Sequence, residues 1–528
     1  MSATSVCRDL VEDLLDVGVR EAVIAPGSRS GPLAIALAAA DRAGALRLHV
    51  RVDERTAGFL ALGLAKASRS WVPVVTTSGT ASANLHPALL EARHARVRLL
   101  AVTADRPARL RGTGANQTTD QIRLFPGIEF GGDPAAVDEL LLDADGPAHL
   151  NLELDEPLVE AGEWAPAVRP TQPREGPRVP MDGPELAMLP HAVVVAGDDA
   201  GPRARVFAEQ AGLPLLAEPS SGARNGDNAL TAYRLLLEHS PLAAQIDQVV
   251  VFGHPTLSRP VTALLARDID VVVPARDLRG FPHPPGHARP VVHDSMPDAM
   301  AAPTWLDAWR TADTMASAAI DGAVTRDPAG AALEVAGAVN AAVPAQGLLV
   351  VGSSNPIRDL DLVARPYTVG ERRLVLANRG LSGIDGTLST AIGAALARES
   401  SRALAYVGDL TFLHDANALL IGPGEPRPDL TIVVASDDGG SIFATLEQGG
   451  PEFTDVFERV YATPTGADIG HLCAALGIPH RLLGTTDLPA ALDEHVSGIR
   501  VLEVPVPRDS RRALAASVSQ AVRDAVGI

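Results

Sequence analysis

One pattern constrains this chain more than any other: a short apolar run, a stop at Gly, Ser, Asp or Pro, then a stretch of helical period. "EAVIAPG" (21–27), "LRLHVRVD" (46–53), "VPVVTTSG" (72–79) and "RLLAVTAD" (98–105) begin it. Strands that alternate with helices in this way form parallel sheets covered on both faces. Such sheets bind ligands beyond the carboxyl ends of their strands. The tips "PGSRSG", "DERTAG", "SGTASAN" and "ADRPARLRGTGANQ" are therefore expected to share one functional edge.

The pattern returns twice. Residues 162–184 are Pro-rich and aperiodic, which reads as a linker. A second α/β unit follows, with strands in "HAVVVAG" (191–197), "LPLLAEP" (213–219), "QVVVFGH" (248–254) and "DVVVPAR" (270–276). Its loop tips carry few polar groups of evident purpose. "FPHPPGHARPVVHD" (281–294) leads out of it; the irregular spacing of its histidines points to a surface loop rather than a metal site. Trp305 and Trp309, four apart, read as core on a connecting helix. The third unit holds "GLLVVGSS" (347–354), "RLVLAN" (373–378), "ALAYVGD" (403–409), "LTIVVASDD" (430–438) and "IRVLEVPV" (499–506). The expected fold is α/β, with three doubly wound parallel-sheet domains at 1–162, 185–325 and 330–528. The first and third share the βαβ plan.

Composition excludes several classes. The 528 residues carry a net charge of −19 and no Lys/Arg cluster of the kind a nucleic-acid face needs. No uncharged apolar run reaches the ~18 residues of a membrane span. The N-terminus has no basic-then-apolar export signal. Cys7 and Cys473 suit neither a disulfide framework nor a metal spacing, which fits a cytoplasmic location. Aromatics are only 3%, which suits helices lying close on sheets. An acidic chain that handles acidic ligands must place its arginines locally, so arginines at strand tips matter.

Asp409 ends one strand of the third unit, and Asp437 ends the next, 28 residues on, before Gly439 and Gly440. Neighbouring parallel strands would set the two carboxylates side by side, where they repel unless a cation lies between them. Mg²⁺ takes oxygen ligands and shares phosphate oxygens, and glycines leave backbone groups open to a phosphate. The pair reads either as a Mg²⁺–diphosphate cradle or as two plain strand-end caps. Glu54 heads a nearly uncharged helix, "TAGFLALGLAKA", either as a partly buried catalytic carboxylate or as an exposed cap.

Glu54 on one unit, "GDLTFLHD…SDDGG" on another and a third α/β unit between them resemble the thiamine-diphosphate enzymes. In that resemblance Glu54 bonds the cofactor's aminopyrimidine and favours the imino tautomer that takes the thiazolium proton. Asp409, Asp437 and the Gly439 carbonyl would hold the metal. The family commonly has an amide where Asp437 stands, which leaves Mg²⁺ and Mn²⁺ both open. Pro26 and Gly27 would lie against the pyrimidine and Ile384 would bend the cofactor. Gly408, Leu410, Gly440 and Ile442 would border its diphosphate.

Within the superfamily, "PGSRSGPLA", "VRVDERTAGFLALGLA", "TSGTASANLHPALLEA", "ADRP…GTGANQT", "NRGLSGIDGTLSTAIGAALA" and "GDLTFLHDANALL" closely resemble the menaquinone-pathway carboligases that join 2-oxoglutarate to isochorismate. The likeness implies that Ser354, Arg358 and Arg379 take the 2-oxoglutarate side. Arg29, Arg106, Asn116 and Gln117 would face isochorismate. It also implies a homo-oligomer, dimer or tetramer, with each site between chains. A different thiamine enzyme and a non-catalytic relative of the fold are the alternatives. The first unit lacks the paired histidine common in the decarboxylases, and the second lacks a Gly-rich dinucleotide loop.

Overall fold

The computed structural model describes residues 2–167, 186–275, 288–292, 297–398, 402–495 and 497–527. Most of the Pro-rich 162–184 stretch and of the His-containing 281–294 stretch lies outside the described residues.

Three parallel-sheet α/β domains make up the chain. The first sheet contains β1 (Glu21–Ile24), β2 (Arg47–Val50), β3 (Val72–Thr76), β4 (Leu99–Asp105), β5 (Glu129–Gly131) and β6 (Ala148–Glu153), in spatial order β2-β1-β3-β4-β6-β5. The second contains β7 (Ala192–Ala196), β8 (Leu215–Ala217), β9 (Gln248–Phe252), β10 (Asp270–Ala275) and β11 (Arg289–Val292), in order β11-β10-β9-β7-β8. The third contains β12 (Leu348–Val351), β13 (Leu374–Ala377), β14 (Ala403–Gly408), β15 (Leu430–Ser436), β16 (His480–Leu482) and β17 (Ile499–Pro505). Its order, β13-β12-β14-β15-β17-β16, repeats that of the first sheet strand for strand. In both, the winding reverses beside the first strand, between β1 and β3 and between β12 and β14. Ligand crevices of doubly wound sheets open at such reversals. β5, β6, β11 and β16 are additions to the strands read from the sequence.

The first and third sheets share one apolar core, which includes Leu60, Leu64, Leu348, Leu388 and Ile392. Its centre is the crossing of helix Glu54–Ser68 with helix Thr387–Arg398. A Cβ at Gly63 would fall 2.1 Å from the Thr390 carbonyl oxygen, and one at Gly393 would fall 2.2 Å from that of Leu60. The backbones touch, which explains why both helices are built mostly of Gly, Ala, Ser and Leu. The one cation on the buried stretch, Lys66, donates to the Ala377 carbonyl at 2.5 Å.

The second sheet has its own core. Trp305 and Trp309, 5% and 0% exposed, join it from helix Pro303–Arg326 with their rings edge to face at 5.8 Å. The apolar stripe of the last helix, Arg511–Val526, belongs to this core too, through Leu514, Val518, Val522 and Val526. The chain thus returns from the third sheet to cover the second.

Candidate active site

The carboxyl edge of the third sheet gathers most of the predicted cofactor and metal residues. β14 and β15 pair with Gly408 opposite Ala435, so Asp409 and Asp437 leave the sheet side by side. Asp409 opens a helix of only six residues, Asp409–His414. Its side chain is buried. Oδ1 accepts from the Leu410 amide at 2.8 Å and Oδ2 from the Gly439 amide at 2.9 Å. Gly439 has φ +151°, and a Cβ there would lie 2.5 Å from the Ala462 carbonyl oxygen, so only glycine turns the chain here. Gly440 donates to that carbonyl at 2.7 Å.

Two residues that the sequence did not single out complete this edge. Ser441 is hydrogen-bonded to the Asp437 carboxyl. Asn355 donates to the Ser441 hydroxyl at 2.6 Å. Asn355 begins the helix after β12, with Ser354 as its N-cap, and the Ser354 hydroxyl stands beside Gly408. Leu410 and Ile442 are half-buried around the cradle.

Burial raises the pKa of both carboxyls against the local hydrogen bonds, and pushes that of Asp437 up to about 7, with the charge of Asp409 adding to the rise. The cations nearby are committed elsewhere. Arg511 donates to Asp359 at 3.0 and 2.9 Å. Arg508 donates to the carbonyls of Asp437 and Asp438 and to Glu458. Two desolvated carboxylates beside an open glycine turn form a hard-oxygen donor set that fits a divalent cation with phosphate ligands. Among the described residues no group of three or more His, Cys, Asp or Glu forms a metal cage. A cation here needs backbone and ligand oxygens as well.

Glu54 is the first residue of its helix, but Asp53 is the cap, accepting from the Arg55 and Thr56 amides. The Glu54 carboxylate is half-buried and accepts from Asn84 at 3.3 Å. Arg55 turns away from it and donates to the His414 carbonyl at 2.7 Å, while Asn417 donates to Asp53 at 3.0 Å. The helix head therefore abuts the segment after Asp409, with no hydrogen bond between Glu54 and the Asp409 group inside one chain.

The other first-sheet candidates lie on the same edge. Arg106 donates to the Ser78 hydroxyl at 2.7 Å and to the Gln117 carbonyl at 2.8 Å. Gln117 has φ +53° and is exposed, as is Asn116. A buried chain of polar groups fixes this loop: Gln121 donates to Asn151, which donates to Asp105, and the Gly79 amide donates to Gln121. Arg29 is held by the Leu154 carbonyl at 3.1 Å and by Glu156 at 3.5 Å. Pro26 is exposed, and Gly27 packs against Thr77.

Arg358 donates to the carbonyls of Ser353 and Ser354 at 2.9 and 2.8 Å; burial, with the charge of Arg379 adding, lowers its pKa to about 10. Arg379 is 2% exposed and donates to Thr256 of the second unit. Ile384 is half-buried, and its carbonyl accepts from Thr387. An open cleft of about 520 Å³ contains none of these groups. It lies at the opposite, amino-terminal edge, beside Asn340, Tyr367 and Arg373. Its arginines, Arg365 and Arg373, pair with Asp321 and Glu371.

Comparison with known proteins identifies relatives of this chain. Residues 5–124 match the family described as thiamine pyrophosphate enzyme, N-terminal TPP binding domain. A 2-succinyl-5-enolpyruvyl-6-hydroxy-3-cyclohexene-1-carboxylate synthase of Nocardioides sp. is 55% identical, covering 97% of each chain. The protein of that name from Kineococcus radiotolerans is 46% identical, covering 99% of each. Among solved structures, benzoylformate decarboxylase from Polynucleobacter necessarius superposes with a TM-score of 0.64 at 17% identity, covering 96% of this chain and 99% of its own. That likeness speaks to the fold alone. The chain belongs to the 2-succinyl-5-enolpyruvyl-6-hydroxy-3-cyclohexene-1-carboxylate synthase family of thiamine-diphosphate enzymes.

Proposed function

We infer that this chain catalyses the reaction for which its relatives are named. It decarboxylates 2-oxoglutarate and joins the remaining succinyl unit to isochorismate, a carbon–carbon bond-forming transfer in menaquinone (vitamin K2) biosynthesis. The observation that carries this reading is 55% identity over 97% of the chain to a synthase of that name. Thiamine diphosphate, when bound, supplies a carbon nucleophile and a sink for the electron pair left as CO₂ departs.

The chain's own residues bind, orient and move protons. Asp409, Asp437 and the Gly439 carbonyl would hold Mg²⁺ or Mn²⁺, with Gly408, Leu410, Gly440 and Ile442 along the diphosphate. Pro26, Gly27 and Ile384 would bracket the rings. Glu54 would hold the proton at the pyrimidine nitrogen. Both substrates are dicarboxylates, which arginine grips through its paired N–H groups. Ser354, Arg358 and Arg379 would take 2-oxoglutarate; Arg29, Arg106, Asn116 and Gln117 would take isochorismate. The site would form in a cytoplasmic homo-oligomer, dimer or tetramer, with Glu54 from one chain facing Asp409 of another. The functional units would be residues 1–162 for the pyrimidine, 185–325 in the centre and 330–528 for the diphosphate.

The test is to follow isochorismate with the protein, Mg²⁺, thiamine diphosphate and 2-oxoglutarate, omitting each in turn. Loss of isochorismate only in the complete mixture is expected. Loss without 2-oxoglutarate, or none in the complete mixture, would contradict the reading.

A further inference from the structure

Arg379 stands where all three units meet, and each holds it differently. From the first unit, buried Glu91 accepts from the Gly380 and Leu381 amides, both at 2.7 Å, and so fixes the backbone after β13. From the second, Thr256 takes one edge of the guanidinium. Nη2 donates to its carbonyl at 3.0 Å and to its hydroxyl at 3.0 Å, and Nε donates to the hydroxyl at 3.3 Å. Thr256 is anchored in turn. Its amide and that of Leu257 donate to Oε1 of Glu218, at 3.0 and 2.9 Å. Glu218 is 1% exposed and follows β8. The carboxyl edges of the second and third sheets thus meet at this arginine. Its third nitrogen, Nη1, is buried with no hydrogen-bond partner among the described residues.

A guanidinium is a rigid plane, and bonds along one edge fix the direction of the other. Holding the Nε–Nη2 edge leaves Nη1 as the one guanidinium nitrogen without a partner among the described residues, its direction set before a ligand arrives. We propose that Thr256, anchored by Glu218, is a positioning residue that aims Nη1 of Arg379 at the distal carboxylate of 2-oxoglutarate, so that the second unit sets the preference for a dicarboxylic 2-oxo acid. This rests on the reading of Arg379 as a 2-oxoglutarate residue.

Steady-state kinetics of the holoenzyme tests it. The Thr256 hydroxyl accepts from both Nε and Nη2, and its loss, felt by the substrate only through Arg379, is expected to weaken binding about tenfold, the low end for hydrogen bonds to a charged group. Thr256→Val is expected to raise KM for 2-oxoglutarate by about that factor, with kcat within about twofold and KM for isochorismate unchanged. Thr256→Ser keeps the hydroxyl and should behave like the unaltered enzyme. Glu218→Ala should mimic Thr256→Val, whereas Glu218→Gln keeps an oxygen for both amides and should not. If Thr256→Val fails to fold, Thr256→Ala carries the same expectation. An unchanged KM for 2-oxoglutarate, equal shifts for both substrates, or a Thr256→Ser as damaged as Thr256→Val would overturn the proposal. Arg379→Lys separates the two layers. If it leaves KM for 2-oxoglutarate unchanged, the reading of Arg379 falls, and the role of Thr256 with it. If it raises that KM while Thr256→Val does not, the positioning role alone falls.

Discussion

Glu54 has a neighbour that frees it for chemistry. Asp53 satisfies the amides at the helix head, so among the described residues the Glu54 carboxylate is bonded only to Asn84. Glu54→Gln is expected to leave thermal stability and thiamine-diphosphate affinity largely intact while lowering turnover at least ~10²-fold, the scale of a lost proton-transfer group. Near-normal turnover would contradict its role. Asp415 gives a prediction about pH. Its buried carboxyl accepts from the amide and hydroxyl of Ser389, and burial pushes its pKa up to about 6. The folded state then holds the proton more tightly than the unfolded chain. Its contribution to stability is complete below the unfolded value near 4 and is lost as pH rises through 6. Asp415→Asn should flatten the change in denaturation midpoint between pH 4 and 6; an unchanged slope would count against this. Asp409 and Asp437 were legible because Gly-Asp and Asp-x-Gly at strand ends form a local signal. Ser441, Asn355, Thr256 and Glu218 were not. Each is an isolated polar residue with at least one partner far away in sequence, as Asn355 lies from Ser441 and Thr256 from Glu218, and no period or motif marks such a pair.

Strands buried on both faces were legible for the same reason that they are stable. β3, β4, β9 and β15 are near-continuous Val, Leu and Ile runs. β5 and β16 were missed because each has only three residues, mostly exposed, which show no pattern. β6 was missed because His149 and Asn151 interrupt its apolar run; both are buried and hydrogen-bonded within the first sheet. The helix crossing was half legible. Small residues announced close packing but not the partner, which tertiary contacts alone fix. Gly393→Ala should cost roughly 1–3 kcal/mol, because the new methyl meets the backbone of the facing helix. Gly337→Ala, inside helix Ala331–Ala342 with open space around its Cβ, should gain about 0.5–1 kcal/mol. Denaturation midpoints that moved the same way for both would refute this packing account.

At the scale of the whole molecule, the first and third units are the same winding used twice. One presents Glu54 at its edge, the other Asp409. Within one chain their helices pack back to back, and no hydrogen bond joins the two groups. A site shared between chains predicts complementation. Glu54→Gln and Asp409→Ala are each expected to be nearly inactive alone. Co-assembled in equal amounts, they should recover about a quarter of full activity, since half the pairs are hybrids with one intact site of two. Activity no greater than that of the separate variants would place each site within a single chain. The return of the last helix onto the second unit was not legible, because an amphipathic stripe does not name the core that it covers.

On this mechanism, loss of CO₂ is coupled to carbon–carbon bond formation. The direct measurement is to supply 2-oxoglutarate labelled at its C1 carboxylate and to record released CO₂ and consumed isochorismate together in the holoenzyme. The account predicts one CO₂ for each isochorismate lost, and neither with Glu54→Gln above about a hundredth of the normal rate. CO₂ released at an unchanged rate without isochorismate would make this chain a plain decarboxylase and contradict the account.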